Sequence, residues 1–453
     1  MATTYLTRTP SSAGNRKKFT ISMWVKRVKL GVDQWLVQAG ASGSEFDIRF
    51  TTSDQIRFTT WDGSNGYGMI TTRVFRDVSA WYHLVFQYDT AQATDTNRNK
   101  IYVNGEQISP SDTSAYNAGK HPPQNYDNPS WNNTTAFRIN DVTWTSSSPK
   151  DAVYSHIHHT DGYAYDASTF GSTDATSGIW KINTSPSVTY GTNGFFILKD
   201  GNTITDSSPN SNNFSLGGGT LTNTEDCPDN NFSTLNPLYV INASHMPTLT
   251  NGNTTGTSTS SGFSSGVAGI APTGSGKYYS EHKLISGTGG WDTNTFVGYS
   301  PTPNGTLLAP HDANFFYGVL ADGGARQGAT NRDGYAGTWT SGDIIRLALD
   351  LDNNRLYVGK NAYWSDGSGN WDEANINGYL DLTASPAVAG DNWFMICGDK
   401  NTSTATWGNN FGNGYFGTTA VASAGTAPSE GGIFEYDCPT GFQALCTKGI
   451  NSF

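Results

Sequence analysis

The sequence predicts an all-β protein built from two antiparallel β-sandwiches in tandem. Three observations lead to this fold class. Apolar and polar residues alternate with a period of two in many short segments, and turn-forming residues recur between those segments. No stretch of twelve residues carries a convincing helical stripe. The composition agrees, because 52 glycines and only 14% charged residues are typical of short strands joined by turns.

The N-terminal strands are predicted from alternating segments. In KFTISMWVKRV, the residues Phe19, Ile21, Met23 and Val25 share one face. Further candidates are EFDIRFTT, QIRFTTWD, WYHLVFQYD, NKIYVNGEQI, AFRINDV and AVYSHIHH. The polar tip between WYHLVFQYD and NKIYV is interpreted as the solvated end of a hairpin. The Asn-Gly of VNGEQI predicts a tight reverse turn, and a short helical turn is expected near DASTFG.

A length of 453 residues predicts more than one domain. The strand pattern dissolves into Asn, Ser, Gly and Thr after about residue 200, and we interpret 201–229 as a link. The predicted domains are therefore 1–200 and 230–453. Part of the link could instead add an edge strand around Phe214 and Leu216.

The C-terminal half predicts a second sandwich. Its candidate strands are GKYYSEHKLIS, TNTFVGYS, WFMICGDKN and TATWGNNFG. The clearest unit is DIIRLALDLDNNRLYVGKNAYW, a hairpin in which Asp352-Asn353-Asn354 turns the chain. The polar run TLTNGNTTGTSTSSGFSSGVAGIAPTGSG is predicted to be a low-complexity surface excursion.

Charge and targeting signals exclude several classes of partner. The net charge is −11, and nearly all of it lies in the C-terminal half, which argues against binding nucleic acid or anionic lipid. No apolar run approaches 18 residues, and the N-terminus lacks the layout of a signal peptide. The four cysteines form no CxxC pair, so they predict reduced, buried thiols and no zinc site.

Several segments together resemble a known family. The strands FTISMWVKR, WYHLVFQYDT and NKIYVNGEQI, followed by DGYAYDASTFG and GIWKINTSPSVTYGTNGFFILKD, resemble the laminin-G or pentraxin-like version of the concanavalin-type jelly roll across nearly all of residues 1–200. The segments DNNFSTLNPL, GKYYSEHKL, FVGYS, IIRLALDLDNNRLYVGKN and CPTGFQALC resemble the SPRY domain, a related sandwich. The resemblance implies two concanavalin-type jelly rolls joined by an Asn/Ser/Gly-rich link.

The pairing of these two domains carries a further resemblance. The tandem arrangement, with an Asn- and Ser-rich join at residues 206–214, resembles that of large modular proteins of tailed bacteriophages, especially marine ones. Such proteins are generally regarded as tail-fibre or other virion surface components. The resemblance implies a virion location, with synthesis in the bacterial cytoplasm.

The residues do not predict an enzyme, and no catalytic residue is assigned. Retaining glycanases need two carboxylates on facing positions, whereas Glu430 and Glu435 are five apart and fall on opposite strand faces. His156 and His158 share a predicted strand face and could hold a metal, but the family resemblance places this strand in the sandwich, where such positions are ordinary packing or edge residues. Neither a metal nor a cofactor is therefore assigned. Calcium stays an open alternative because laminin-G-like domains can bind it, although no ligand pattern is visible.

Aromatic residues in Gly-rich polar loops are the best candidates for ligand binding. Tryptophan faces stack on sugar rings, and neighbouring Asp and Asn side chains bond hydroxyl groups. The candidates are Tyr363, Trp364, Asp366, Trp371 and Asp372 in one loop, and Trp61 and Tyr67 in another. For each tryptophan alone, capping of its own sandwich is the competing interpretation.

These observations predict a non-enzymatic virion attachment protein that recognises a host-surface glycan or protein through sandwich loops. Its expected partners are other virion proteins and a host cell-surface glycan or receptor, with a homo-oligomer on the particle. No nucleic acid and no membrane insertion are expected. The first alternative is a purely structural capsid-decoration, tail or fibre adaptor subunit, and the second is a glycan hydrolase.

Overall fold

The computed structural model describes residues 4–145, 151–239, 245–259, 264–288, 295–301, 315–383, 392–399 and 404–453. The chain divides into two compact units, Met1–Asn223 (unit 1) and Thr224–Phe453 (unit 2). Nearly all regular structure is β, which confirms the predicted all-β fold of concanavalin or laminin-G type. Across the described ranges, no helix has the length and apolar character needed to cross a membrane.

Unit 1 contains sixteen strands among its described residues. They are β1 (Tyr5–Arg8), β2 (Lys18–Arg27), β3 (Gln34–Ala41), β4 (Ser44–Phe50), β5 (Gln55–Trp61), β6 (Gly66–Val74), β7 (Trp81–Asp89), β8 (Asn99–Val103), β9 (Glu106–Gln107), β10 (Thr113–Ala115), β11 (Phe137–Ile139), β12 (Ala152–Asp161), β13 (Gly171–Thr173), β14 (Trp180–Ile182), β15 (Phe195–Ile197) and β16 (Ser215–Gly218). Short 3-10 turns lie at Asp95–Asn97, Pro110–Asp112 and Ala167–Thr169, the last within the predicted DASTFG segment.

Two antiparallel sheets form the sandwich of unit 1. The large sheet has the order β10-β6-β5-β4-β3-β11-β1-β16, and the second sheet has the order β15-β12-β2-β7-β8-β9. The predicted face of β2 with Phe19, Ile21, Met23 and Val25 is fully buried in the core between them. Burial of this alternate set fixes the register, because a shift by one residue would expose it.

The polar tip between β7 and β8 is tied to the rest of unit 1, and this differs from the predicted solvated end. Arg98 donates to the carbonyls of Gln92, Ala93 and Pro122 at 2.9, 2.8 and 3.1 Å. The buried carboxylate of Asp89 pairs with Lys18 at 3.0 Å. These contacts are structural, because they close the loop on the sandwich.

The boundary between the units falls inside the predicted link. Strand β16 pairs with β1 at the edge of the large sheet, and Phe214 is buried in the core of unit 1. Asp206 accepts hydrogen bonds from the backbone N–H groups of Phe196, Ser208 and Asn212. The polar composition of residues 201–229 therefore does not indicate a flexible linker, because the amide and carboxylate side chains form hydrogen bonds with the backbone.

Unit 2 contains eighteen strands among its described residues. They are β17 (Thr248–Thr250), β18 (Thr255–Thr257), β19 (Ser264–Val267), β20 (Lys277–Thr288), β21 (Phe296–Ser300), β22 (Tyr317–Leu320), β23 (Ala325–Gln327), β24 (Thr330–Arg332), β25 (Ile344–Asp350), β26 (Arg355–Lys360), β27 (Tyr363–Ser365), β28 (Trp371–Glu373), β29 (Tyr379–Asp381), β30 (Phe394–Asp399), β31 (Thr404–Asn410), β32 (Tyr415–Phe416), β33 (Thr419–Ala420) and β34 (Gln443–Ala444). Helix α1 (Thr447–Ile450) follows.

Two sheets also build unit 2. One follows the order β17-β18-β31-β20-β25-β26-β27-β28, with β29 on β26 and β34 on β20. The other follows β19-β30-β21-β22-β23-β24. The predicted hairpin is confirmed as β25 and β26. The segment predicted as a surface excursion instead supplies β17, β18 and β19, because Thr and Gly occur in strands as well as in loops. Its residues 260–263 lie outside the described part.

The C-terminal segment of unit 2 covers the outer face of the larger sheet. Phe434 and Phe442 pack there with Tyr279 and Trp364 in a cluster separate from the main core. Tyr279 and Phe434 meet edge to face, with centroids 4.8 Å apart. This layer decides which side chains of the β26–β28 region can reach solvent.

Candidate functional site

Trp364 is a core residue and not a ligand platform, which corrects the prediction for this position. Its side chain is 4% exposed. The Arg346 guanidinium lies 4.2 Å from the centre of its ring, and Tyr279 packs against it at 6.4 Å. The C-terminal segment covers the face of β27 to which this ring points, so a sugar cannot stack on it in this structure.

Asp366 shapes its own loop. Its carboxylate accepts hydrogen bonds from the backbone N–H groups of Ser368 and Asn370 at 2.7 and 3.1 Å, and from the Asn370 side chain at 2.9 Å. The hydrogen bond from the Asn370 side chain, followed by those from the backbone, lowers the pKa of Asp366. This carboxylate is ionised at neutral pH and largely committed to the turn.

Trp371, Tyr363 and Asp372 reach the surface of this loop to different degrees. The indole N–H of Trp371 donates to the Gly337 carbonyl at 2.7 Å, which holds the half-buried ring against the core. Tyr363 is 52% exposed, and Asp372 is exposed. Of the five residues predicted in this loop, these three can therefore offer a ring face or a carboxylate to a partner.

The second predicted pair lies at the β5–β6 hairpin of unit 1, and the structure brings further aromatic residues to it. Trp61 pairs in register with Gly66, whereas Tyr67 pairs with Thr60, so the two rings start from opposite faces of the sheet. Trp61 meets Tyr116 with centroids 6.3 Å apart, and Tyr67 meets Tyr126 at 5.3 Å. All four rings are half-buried. We call Trp61, Tyr67, Tyr116 and Tyr126 the tip cluster.

Asp62 lies between β5 and β6 and bonds one ring of the tip cluster. It accepts hydrogen bonds from the backbone N–H groups of Ser64 and Asn65 at 2.9 and 2.8 Å and from the Tyr126 hydroxyl at 3.1 Å. Burial raises the pKa of Asp62, but these hydrogen bonds outweigh it and leave the pKa below its ordinary value. The hairpin tip therefore carries a fixed negative charge beside the Tyr126 hydroxyl.

Sequence reasoning missed Tyr116 and Tyr126. Both lie in polar loops with Asn, the same signal that selected Trp61 and Tyr67. They stand about fifty residues or more along the chain from β5, however, and no local pattern indicates that the loops after β10 return to this hairpin. Pairing of β10 with β6 brings Tyr116 there.

The histidines of β12 pack in the sandwich. A register shift between Ser155 and His158 disturbs the regular alternation on which the predicted shared face of His156 and His158 depended. His158 stacks on Phe196 with centroids 3.8 Å apart, and its Nδ1 lies 3.0 Å from the Tyr190 hydroxyl. No group of three metal-ligating side chains occurs within the ranges that the structure describes.

The β25–β26 turn is held by its own side chains, which bears on the calcium alternative. Asp350 accepts from the Asn353 backbone N–H at 3.1 Å and pairs with Lys277 at 3.1 Å. Asp352 accepts from the Gly276 N–H at 2.9 Å. Asn354 adopts a positive φ of 55°, as the turn requires. These bonds account for the Asp-rich pattern as a turn motif.

Unit 2 contains a serine–histidine–asparagine chain in its interior. The Ser280 hydroxyl lies 2.8 Å from His282 Nε2, and His282 Nδ1 lies 2.8 Å from Asn409 Oδ1. Nucleophilic hydrolases use a similar order of atoms. All three residues are fully buried, and desolvation lowers the pKa of His282 to about 4. The chain satisfies polar groups inside the core, where a substrate has no access.

A laminin-G-type family model, described as the Concanavalin A-like lectin/glucanases superfamily, matches residues 2–152. No curated protein matches the chain. Among solved structures, the SPRY domain of human HERC1 is 15% identical and is similar over 34% of this chain and 87% of its own, with a TM-score of 0.26.

Two further solved structures are similar. A heptameric SAP-like pentraxin from Limulus polyphemus is 10% identical over 42% of this chain and 90% of its own, with a TM-score of 0.28. Domains LG4-5 of the mouse laminin alpha1 chain are 7% identical over 96% of this chain and 92% of their own, with a TM-score of 0.28. These values carry no conclusion about a ligand. Residues 2–152 thus match a laminin-G-type, concanavalin-like family model, and a SPRY domain is among the similar solved structures.

Proposed function

We propose that this chain is a non-enzymatic virion protein of a tailed, marine-type phage that recognises a host-surface glycan or protein through the loops of its sandwiches. The observation that carries the proposal is the tip cluster. Four half-buried rings lie in two pairs at a hairpin tip of the sheet, where the Tyr126 hydroxyl bonds an ionised aspartate. Aromatic faces beside fixed hydrogen-bond acceptors are how lectins bind sugars without a cofactor.

The mechanism is shape-complementary recognition by a preorganised site. The hydrogen bonds to Asp62 fix the tip before a ligand arrives, so little entropy is lost on binding. A shallow aromatic site of this kind binds weakly by itself. Several copies on one particle raise the avidity, so a homo-oligomer in contact with other virion proteins fits this role. The phage context rests on the resemblance to modular virion proteins described above.

A glycan array and binding to host envelope fractions test the recognition function. Wild-type protein is expected to bind a defined subset of glycans or one envelope fraction. Trp61→Ala and Tyr67→Ala are expected to lower binding at least tenfold. Tyr163→Ala is the matched control, because Tyr163 is exposed on unit 1 outside the tip cluster. A wild-type protein that binds neither glycans nor envelope fractions would favour the purely structural role.

Two more measurements test the context and the chemistry. Antibody labelling of intact particles is expected to find the protein on the virion surface, with unit 1 accessible. Its absence from purified particles would contradict the virion assignment. Incubation with host polysaccharide at varied pH and calcium is expected to release no reducing ends, and release would support the hydrolase alternative.

A further inference from the structure

The outer face of the large sheet in unit 1 carries an ordered array of polar and aromatic side chains. Phe46, Ile48 and Phe50 of β4 point into the core, so the alternate residues of β4 point outward. The same holds for β5, where Ile56 and Phe58 face the core. The outward residues of three adjacent strands are Trp35 and Gln38 on β3, Glu45, Asp47 and Arg49 on β4, and Arg57, Thr59 and Trp61 on β5. We call these eight residues the β4 face.

Strand register arranges the β4 face in three rows. Glu45 lies opposite Trp61, Asp47 opposite Thr59 and Arg49 opposite Arg57. On the other side of β4, Gln38 is opposite Asp47, and Trp35 is opposite Arg49. Directly opposed residues in a sheet have side chains about 5 Å apart. Acids, bases and aromatic rings therefore alternate across a small area that begins at the tip cluster.

One arginine of this face is fully engaged. Arg57 Nη2 bonds Asp47 at 3.2 Å, its Nε donates to the Thr59 hydroxyl at 2.9 Å, and its guanidinium lies 3.9 Å from the centre of the Tyr116 ring. This arginine therefore serves to fix Tyr116 and Asp47 in place.

The second arginine is held in place but not hydrogen-bonded. Arg49 lies 4.7 Å from the centre of the Trp35 ring. Its Nε is 3.5 Å from Asp47 and 3.7 Å from Asp33, and makes no hydrogen bond within the described residues. The side chain is 14% exposed. Its guanidinium is therefore oriented by the ring and retains N–H groups for a partner.

Buried polar atoms beside Arg49 also lack partners. In the described part of the chain, Gln38 Oε1, Asp47 Oδ1 and Trp35 Nε1 are buried without a hydrogen bond. All three residues are more than nine-tenths buried. An unpartnered buried polar group destabilises the folded state. Gln38 Oε1 and Trp35 Nε1 thus stay unpaired beneath Arg49, whereas Asp47 Oδ1 faces the Arg49 Nε at 3.5 Å.

The balance of charge decides the chemistry of a partner molecule. Arg49 and Arg57 face Glu45, Asp47 and Asp33, so the face holds donors and acceptors together without an excess of positive charge. Vicinal hydroxyl groups both donate and accept, which suits this mixture, whereas a phosphate or sulfate would meet three carboxylates. Glu45 keeps one oxygen on the Gly43 N–H at 2.9 Å and has a second oxygen for a hydroxyl group.

We infer that the β4 face is the subsite for a neutral, hydroxyl-rich glycan, in which Glu45 bonds sugar hydroxyls beside the ring of Trp61 and Arg49 bonds them beside Trp35. This inference rests on the proposed function and extends the binding surface from the tip cluster onto the sheet. Asp47, Arg57 and Thr59 are positioning residues, because they hold one another and the Tyr116 ring.

The test uses the full chain and the strongest neutral glycan found on the array. Arg49→Met keeps the apolar stem over Trp35, and Glu45→Gln keeps the shape of the acid. Each is expected to weaken binding at least tenfold in titration calorimetry. Arg73→Met is the matched control, because Arg73 lies on β6 with its side chain half exposed, and it is expected to bind as wild type does. Thermal unfolding of each variant reports whether the fold survives.

The outcomes separate the subsite from the general function. If Tyr67→Ala abolishes binding while Arg49→Met and Glu45→Gln leave it unchanged, the subsite is wrong and glycan recognition at the tip stands. If wild type binds no glycan, both proposals fall. If Arg49→Met does not fold, the subsite is tested in the wild-type protein by following the NMR resonance of the Trp35 indole N–H as the glycan is added. A shift on adding the glycan supports the subsite, and an unchanged resonance contradicts it.

Discussion

At the scale of single residues, Tyr363 and Trp364 show how neighbours on one strand take opposite roles. They differ in exposure, at 52% and 4%, because successive side chains of a strand point to opposite faces. A tryptophan beside a Gly-rich loop has the same sequence signature as a binding residue. Only the C-terminal segment, some seventy residues later, makes it a core residue.

Trp364→Ala is expected to destabilise unit 2 by about 3–5 kcal/mol, because it leaves a large cavity under Arg346. Tyr363→Ala is expected to change stability by less than about 0.5 kcal/mol, since its ring is in water. Pulse proteolysis of the full chain in urea measures both. Equal midpoints for the two variants would contradict the assignment of Trp364 to the core.

Glu281 is the most unusual buried acid that the structure describes. It accepts hydrogen bonds from the Tyr279 hydroxyl at 2.9 Å and from the backbone N–H groups of Glu435 and Tyr436 at 2.7 and 2.9 Å. Desolvation raises its pKa to about 7, although these hydrogen bonds and the charge of Arg346 act to lower it. The C-terminal segment is thereby attached to the sheet through an acid that titrates near neutral pH.

Because the folded pKa of Glu281 exceeds the unfolded value of 4.5, its contribution to stability is complete below pH 4.5 and is lost as pH rises through 7. Between pH 5 and 8.5, wild type should lose about 2–3 kcal/mol relative to Glu281→Gln. Hydrogen exchange in β20 at several pH values measures this difference. Glu373→Gln, on strand β28 of the same unit, is the control. A wild-type profile parallel to that of Glu281→Gln would contradict the assignment of this pH dependence to Glu281.

At the scale of elements, the sequence predicted strands better than it predicted their neighbours. Period-two alternation identified β2, β7, β25 and β26 because each places an apolar face in the core, although the opposite face is largely buried as well. It could not show that β12 lies beside β2, more than a hundred residues away, since pairing depends on the whole sheet. For the same reason Trp61 was found but Tyr116 was not. Thr-rich edge strands such as β17 were missed because they bury little apolar surface.

The β5–β6 hairpin offers a test of how the tip cluster is held. A Cβ at Gly66 would lie 2.5 Å from the Trp61 ring and 2.7 Å from the Tyr116 ring. Gly66→Ala is therefore expected to displace both rings and to cost about 1–3 kcal/mol. Gly119→Ala is the matched control, because its nearest neighbour would lie at 3.8 Å, an ordinary contact. Faster hydrogen exchange in β6 for Gly66→Ala alone is the expected result, and equal exchange in both variants would contradict it.

At the scale of the whole molecule, the two units carry different sets of buried titratable groups. In unit 1, desolvation lowers the pKa of His83 to about 3 and those of His156 and His159 to about 4, and it also lowers that of His158. His83 shows the cause, because it stacks between Trp24 and Trp180 and bonds the Ser22 hydroxyl. In unit 2, the lowered pKa of His282 and the raised pKa of Glu281 have opposite effects on how stability changes with pH.

The units should therefore respond differently to acid. A histidine whose pKa is lower in the folded than in the unfolded state makes its full contribution to stability above the unfolded pKa of 6.5. That contribution is lost as pH falls toward the folded pKa. Near pH 5, these buried histidines make unit 1 lose stability as pH falls, whereas Glu281 and His282 act in opposite directions in unit 2. Hydrogen exchange in β7 and β25 of the same full-length sample, followed from pH 7 to pH 4.5, should show unit 1 opening first. Simultaneous opening would mean that the two units unfold as one cooperative body, and earlier opening of β25 would mean that the buried histidines of unit 1 are not held neutral.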